Sequence, residues 1–114
     1  MMSRLAAGLA VVLLVLVAGC SDPPPPISVS DGMVTVLNQT DQDWTGVLIT
    51  VNDHYRGFVA TLKAEGRANA PLSQFDTGHG QRWTQGTYVN TIVVTAKAAD
   101  GSDVKLTWGR EDKR

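Results

Sequence analysis

Apolar and polar positions alternate with a period of two from Ile27 onward, most clearly in five runs. Val34 and Val36 alternate with Thr35 and Leu37; Val47, Ile49 and Val51 with Leu48, Thr50 and Asn52; Phe58, Ala60 and Leu62 with Val59, Thr61 and Lys63. Ile92, Val94 and Ala96 alternate with Val93, Thr95 and Lys97, and Val104, Leu106 and Trp108 with Lys105 and Thr107. Successive side chains of a strand point to opposite faces, so each run predicts a strand packed on a core from one side. This phase turns Phe58 and Trp108 inward, and Trp44 and Phe75 join them as core aromatics. Clusters of Asp, Asn, Ser and Gly separate the runs: Ser30-Asp31-Gly32, residues 38–43, Asn52-Asp53-His54, Ala64-Glu65-Gly66, residues 76–80, Gln85-Gly86 and Asp100-Gly101-Ser102. Asp100-Gly101 predicts a tight primed hairpin turn, because both residues tolerate positive φ. No segment has the length and period of a helix, and no internal repeat is present. Six or seven short strands predict an all-β fold, a small antiparallel sandwich of immunoglobulin-like kind, with an open β-barrel as the alternative.

The first twenty residues follow a different logic. Residues 1–4 carry one positive charge, and residues 5–17 (LAAGLAVVLLVLV) contain no polar side chain. A helical span needs about 20 apolar residues, so this run fits the apolar region of an export signal and not a transmembrane helix. Val17-Ala18-Gly19-Cys20 then resembles the lipobox of bacterial lipoproteins, in which small residues precede a cysteine that is lipidated and becomes the first residue of the mature chain. The resemblance implies a signal peptide over residues 1–19 and a covalent lipid on Cys20, with no other cofactor. Acyl chains contribute about 0.8 kcal/mol per buried CH₂, so more than one chain anchors stably. Cys20 is the only cysteine, so no disulfide can form within the mature domain. In diderm lipoproteins an aspartate directly after the cysteine favours the inner membrane; here Ser21 stands there, which leans toward the outer membrane.

Residues 20–33 read as the lipidated cysteine and a tether. Pro23 to Pro26 are consecutive and hold an extended polyproline conformation, rising about 3.1 Å per residue or roughly 12 Å in all. The sandwich is expected over 34–109, and residues 110–114 (REDKR) as a solvated charged tail. Residues 38–44 running into 47–52 and Tyr55 are similar to the opening of sandwich modules in small exported bacterial proteins: a strand ends in a polar turn, a Trp starts the next strand, and an Asn caps its end. That likeness implies fold class only.

Charge narrows the functional classes. The chain has 10 Lys and Arg, 11 Asp and Glu, and a formal charge of -1. Loss of Arg4 with the signal leaves nine basic residues against those eleven acids, a mature charge of −2. Such a surface lacks the basic stripe of a nucleic-acid binder and offers no general attraction to anionic lipid.

Candidate chemistry is sparse. His54 and His79 are the only histidines, near Asp53 and Asp76, but their spacing matches no metal motif and both fall in turns, so no metal is expected. Asp41-Gln42-Asp43 lacks the further ligands of a calcium loop and reads as capping its own loop. Gly78-His79-Gly80 has no strand-to-helix context for phosphate binding. Asn38-Gln39-Thr40 matches a glycosylation sequon, which a bacterial export signal makes incidental. No serine lies in a nucleophile elbow, and the only glutamates, Glu65 and Glu111, fall in a turn and the tail. Trp83 stands apart, in the polar setting of Gln81, Arg82, Thr84 and Gln85. It is either a plug closing one end of the sandwich, the ordinary outcome, or part of a binding surface formed by His79, Arg82, Trp83 and Tyr88. The sequence therefore points to a membrane-anchored envelope lipoprotein, facing the periplasm or exterior, acting as a noncatalytic binding or assembly module with a protein or glycan partner. A carbohydrate or peptidoglycan binder and a small envelope enzyme are the alternatives.

Overall fold

A computed structural model describes residues 23–110, so the signal peptide expected over residues 1–19, Cys20 and tail residues 111–114 lie outside the described residues. Seven strands form two antiparallel sheets. The strands are β1 (Ile27–Ser30), β2 (Met33–Leu37), β3 (Trp44–Val51), β4 (Tyr55–Leu62), β5 (Arg67–Pro71), β6 (Thr91–Ala98) and β7 (Asp103–Gly109). The smaller sheet has the order β1-β2-β5 and the larger β4-β3-β6-β7. The fold is a sandwich of two separate sheets, not an open barrel. A short 3-10 turn, Leu72–Gln74, follows β5.

The inner faces meet in a core of Ile27, Val34, Val36, Trp44, Val47, Ile49, Val51, Leu62, Ile92, Val94 and Ala96, with Ala68, Leu72, Phe75 and Val89 closing it. Among the described residues the core and the side chains packed on it run from Ile27 to Trp108. Ile27 is buried and β1 pairs with β2 through Ile27↔Val36 to Ser30↔Met33, so the sandwich begins at Ile27 and not at residue 34. The proline segment is partly docked as well: Leu37 N–H donates to the Pro26 carbonyl at 2.8 Å and Gln39 Nε2 to that of Pro24 at 2.6 Å. β1 escapes the pattern reading because four residues show too few alternations, and β5 (RANAP) because its inward side chains are alanines.

The phase expected for β4 is reversed over most of its length. Tyr55, Gly57 and Val59 face inward, whereas Phe58 is 69% exposed. The cause is a bulge in β3 between Thr45 and Leu48, where Gly46 takes φ +59°. Trp44 and Val47 both point inward, three residues apart, and β4 follows in register, Trp44 opposite Leu62 and Val47 opposite Val59. An extra residue shifts side-chain parity. Only Leu62, beyond the bulge, obeys the phase read from the sequence.

The primed turn also lies elsewhere than expected. Asp31 and Gly32, at φ 54° and 74°, join β1 to β2 in a two-residue loop. At the β6–β7 hairpin only Gly101 has positive φ (89°), and its N–H donates to the Ala98 carbonyl, the pattern of a type I turn with a glycine bulge. Asp100 instead accepts from Ser102 N–H and Oγ, which lowers its pKa.

Candidate functional site

Four strands over three leave a strip uncovered. β7 is the far edge of the larger sheet, and the facing edge, β1, is only four residues long. Val104, Leu106 and Trp108 keep the inward parity expected of them but are half-buried. At one end this strip opens into a groove of about 810 Å³ between the β1–β2 hairpin (Val29, Asp31, Met33), the start of the 3-10 turn (Leu72, Ser73), the 83–89 segment and the end of β7 (Trp108, Arg110).

The long β5–β6 connection makes one wall. Its first anchor is Phe75, 1% exposed, whose ring lies where a Cβ on Gly57 would be, 2.6 Å from that position at the closest atom. Arg56 N–H then donates to the Asp76 carbonyl at 2.9 Å, tying the connection to the edge of β4. After a turn at 77–80 the chain returns, and Trp83 N–H donates to the Phe75 carbonyl at 3.0 Å. The indole of Trp83 meets Tyr55 edge-to-face at 4.9 Å and packs on the core. Gly57 thus seats Phe75, and Phe75 seats Trp83.

Asn52 fixes the end of this segment. Its Nδ2 donates to the Tyr88 carbonyl at 2.9 Å, while its Oδ1 accepts from Asn90 N–H at 2.7 Å and Thr91 N–H at 3.2 Å. Tyr88 itself is 70% exposed, and the Arg110 guanidinium stacks over its ring 4.3 Å from the centroid. A cation over an aromatic face is held electrostatically, which restrains an otherwise mobile side chain.

Comparison with protein-family models, with curated proteins and with solved structures found no match to this chain. Of the four residues proposed from sequence, Trp83 and Tyr88 line the groove; His79, exposed at the 77–80 turn, and Arg82, exposed and paired with Asp76 through an antiparallel backbone bridge, do not. Asp31, Trp108 and Arg110 complete the groove and escaped the sequence reading as site residues. Arg110 was legible in principle: continuing the inward parity Val104, Leu106, Trp108 by two residues places it at the mouth.

His54 and His79 are both exposed, and no group of three His, Cys, Asp or Glu able to hold a metal occurs among the described residues. Asp43 does not cap its own loop; its Oδ1 accepts from Ala64 N–H across the turn at 2.8 Å. Asn38 of the sequon is 1% exposed, its Nδ2 donating to the carbonyls of Gln42, Leu62 and Lys63 and its Oδ1 accepting from Thr40, so its amide is not free for a glycan.

Proposed function

We propose that the chain is a lipid-anchored binding module of the bacterial envelope, held through Cys20 and the proline segment, with the groove as its noncatalytic contact surface. One observation carries this reading: the groove lies at the end of the sandwich away from the tether. The chain enters at Pro26 beside Leu37, at the end that holds Trp44, Leu62 and Ala98, whereas the groove is built from Asp31, Leu72 and Trp108 at the opposite end. A domain anchored through residue 20 would present that end outward from its membrane. Loops carried on a rigid sandwich are the usual place for such contacts. The lining sets neither a histidine nor a second carboxylate beside Ser73 or Asp31, which favours binding over hydrolysis. With Ser21 after the cysteine, the outer membrane is the favoured address.

The test has two arms in cells producing the full chain. Labelled palmitate should enter the protein and be lost in Cys20→Ala, which should also leave the membrane fraction. A photocrosslinking residue at Thr87, on the groove, should give a discrete envelope adduct, whereas one at Thr95, on the outer face of the larger sheet, should not. Unlabelled protein, or equal crosslinking at both positions, would overturn the reading.

A further inference from the structure

The groove changes character with depth. Leu72 and Val89 are buried at its floor, Val29, Trp83 and Trp108 are half-buried above them, and Asp31, Gln85, Thr87, Tyr88 and Arg110 stand exposed at the rim. Its volume lies within the range of sites that enclose small ligands. Two charges line it, one of each sign, and they do not neutralise each other: the ion pairs among the described residues are Lys63–Asp43 and Lys97–Asp103, both at the tether end. Arg110 is therefore a guanidinium stacked on Tyr88 and turned to a groove that supplies it no carboxylate within ion-pair distance.

We propose that the groove takes the carboxyl terminus of an extended peptide, with Arg110 receiving the carboxylate and the apolar floor receiving the last side chain. This rests on the groove being the binding site. A planar guanidinium pairs with a carboxylate through two parallel hydrogen bonds, and stacking on Tyr88 limits the freedom lost when they form. Asp31 supplies an acceptor for the peptide N–H groups of the ligand, the polarity an extended peptide presents beside its terminus. A sugar fits less well, since stacking on a pyranose needs an open aromatic face. Arg110 covers a face of Tyr88, and Trp83 is packed edge-on against Tyr55.

The test uses residues 20–114 with Cys20→Ser, which retain every strand and core residue among the described residues. The probes are acetyl-Ala-Ala-Leu and its carboxamide, followed by calorimetry and by the indole N–H resonances. The acid should bind with saturable shifts of the Trp83 and Trp108 indoles, and the amide about tenfold more weakly, the factor for one charge-assisted contact. Arg110→Gln should lower affinity for the acid to that of the amide while leaving the melting temperature unchanged. Equal binding of acid and amide at the same indoles would overturn the carboxylate assignment and leave the groove standing. Indoles that move only with soluble glycan fragments would overturn the peptide class alone. Indoles unmoved by either would overturn both this inference and the reading on which it rests.

Discussion

Gly57→Ala is a one-carbon change with a consequence that can be worked out in advance. The new Cβ would lie 2.6 Å from Cζ of Phe75 and 2.8 and 2.9 Å from its two Cε atoms, separations that real Cβ contacts do not sustain. Phe75 cannot swing away, because it is 1% exposed and its backbone carbonyl accepts from Trp83. Overpacking of this kind costs about 1–3 kcal/mol, and the stiffer backbone of Ala in a strand returns roughly 0.5–1 kcal/mol. The net loss is about 1–2 kcal/mol, or roughly 6–12 °C in Tm for a domain of this size. The assay is a double-mutant cycle by urea and thermal unfolding with Phe75→Leu, which loses volume at the same contact. Phe75→Leu alone leaves a cavity, but combined with Gly57→Ala the added methyl occupies part of that space. The double variant should therefore be more stable than the sum of the singles predicts, by about 1 kcal/mol, a coupling expected of residues in contact. Gly57→Ala should also shift the Trp83 indole resonance, because Phe75 holds that loop. A harmless Gly57→Ala, or strictly additive losses, would refute the packing argument.

Further expectations concern the polar supports. Asn38→Ala removes the donor shared by the carbonyls of Gln42, Leu62 and Lys63 and should cost about 3 kcal/mol in urea unfolding, because buried acceptors are left unsatisfied; a loss below about 1 kcal/mol, the ordinary net value of one exchanged bond, would contradict it. Asn52→Gly keeps the positive φ of 52° at no steric cost but deletes the brace on Tyr88, Asn90 and Thr91, so amide exchange should quicken at 88–91 and not in β2; uniform exchange would count against the brace. Asp100 has its pKa lowered chiefly by the Ser102 hydroxyl and then by the Ser102 N–H, so its contribution is present above the unfolded-state pKa and is lost as pH falls through the lower folded value. Asp100→Asn should accordingly lower the neutral plateau of the stability–pH curve and flatten its acid limb, so that the two curves converge at low pH; a constant offset between them at every pH would contradict this.

Much of the fold was legible because the core lies on long strands with strict alternation. β3 after its bulge, β6 and β7 kept the parity read from Val47, Ile92 and Val104. Failures have local causes. The bulge at Gly46 reversed β4, and a single glycine in a strand does not announce its effect on the neighbouring strand. β1 was too short and β5 too poor in large side chains to register as runs. Two residues of the groove, Trp83 and Tyr88, were legible, because aromatic residues in polar surroundings stand out. Asp31 was not, because it joins the site only through the β1–β2 hairpin, a proximity set by topology, and Arg110 could be reached only by extending the parity of β7 past its last residue. Asn38 read as a loop polar residue for a similar reason: its acceptors at Leu62 and Lys63 lie 24 and 25 residues away in the chain.

The three tryptophans supply the most direct measurement. Trp83 and Trp108 line the groove, whereas Trp44 is 3% exposed at the opposite end of the sandwich. Titration of ¹⁵N-labelled residues 20–114, carrying Cys20→Ser, with a muramidase digest of peptidoglycan offers glycans and carboxylate-ended peptides together. The account predicts saturable shifts of the Trp83 and Trp108 indoles, both diminished by Tyr88→Ala, with Trp44 unmoved. Three unmoved indoles at millimolar fragment concentrations, or shifts that spare the groove, would contradict it.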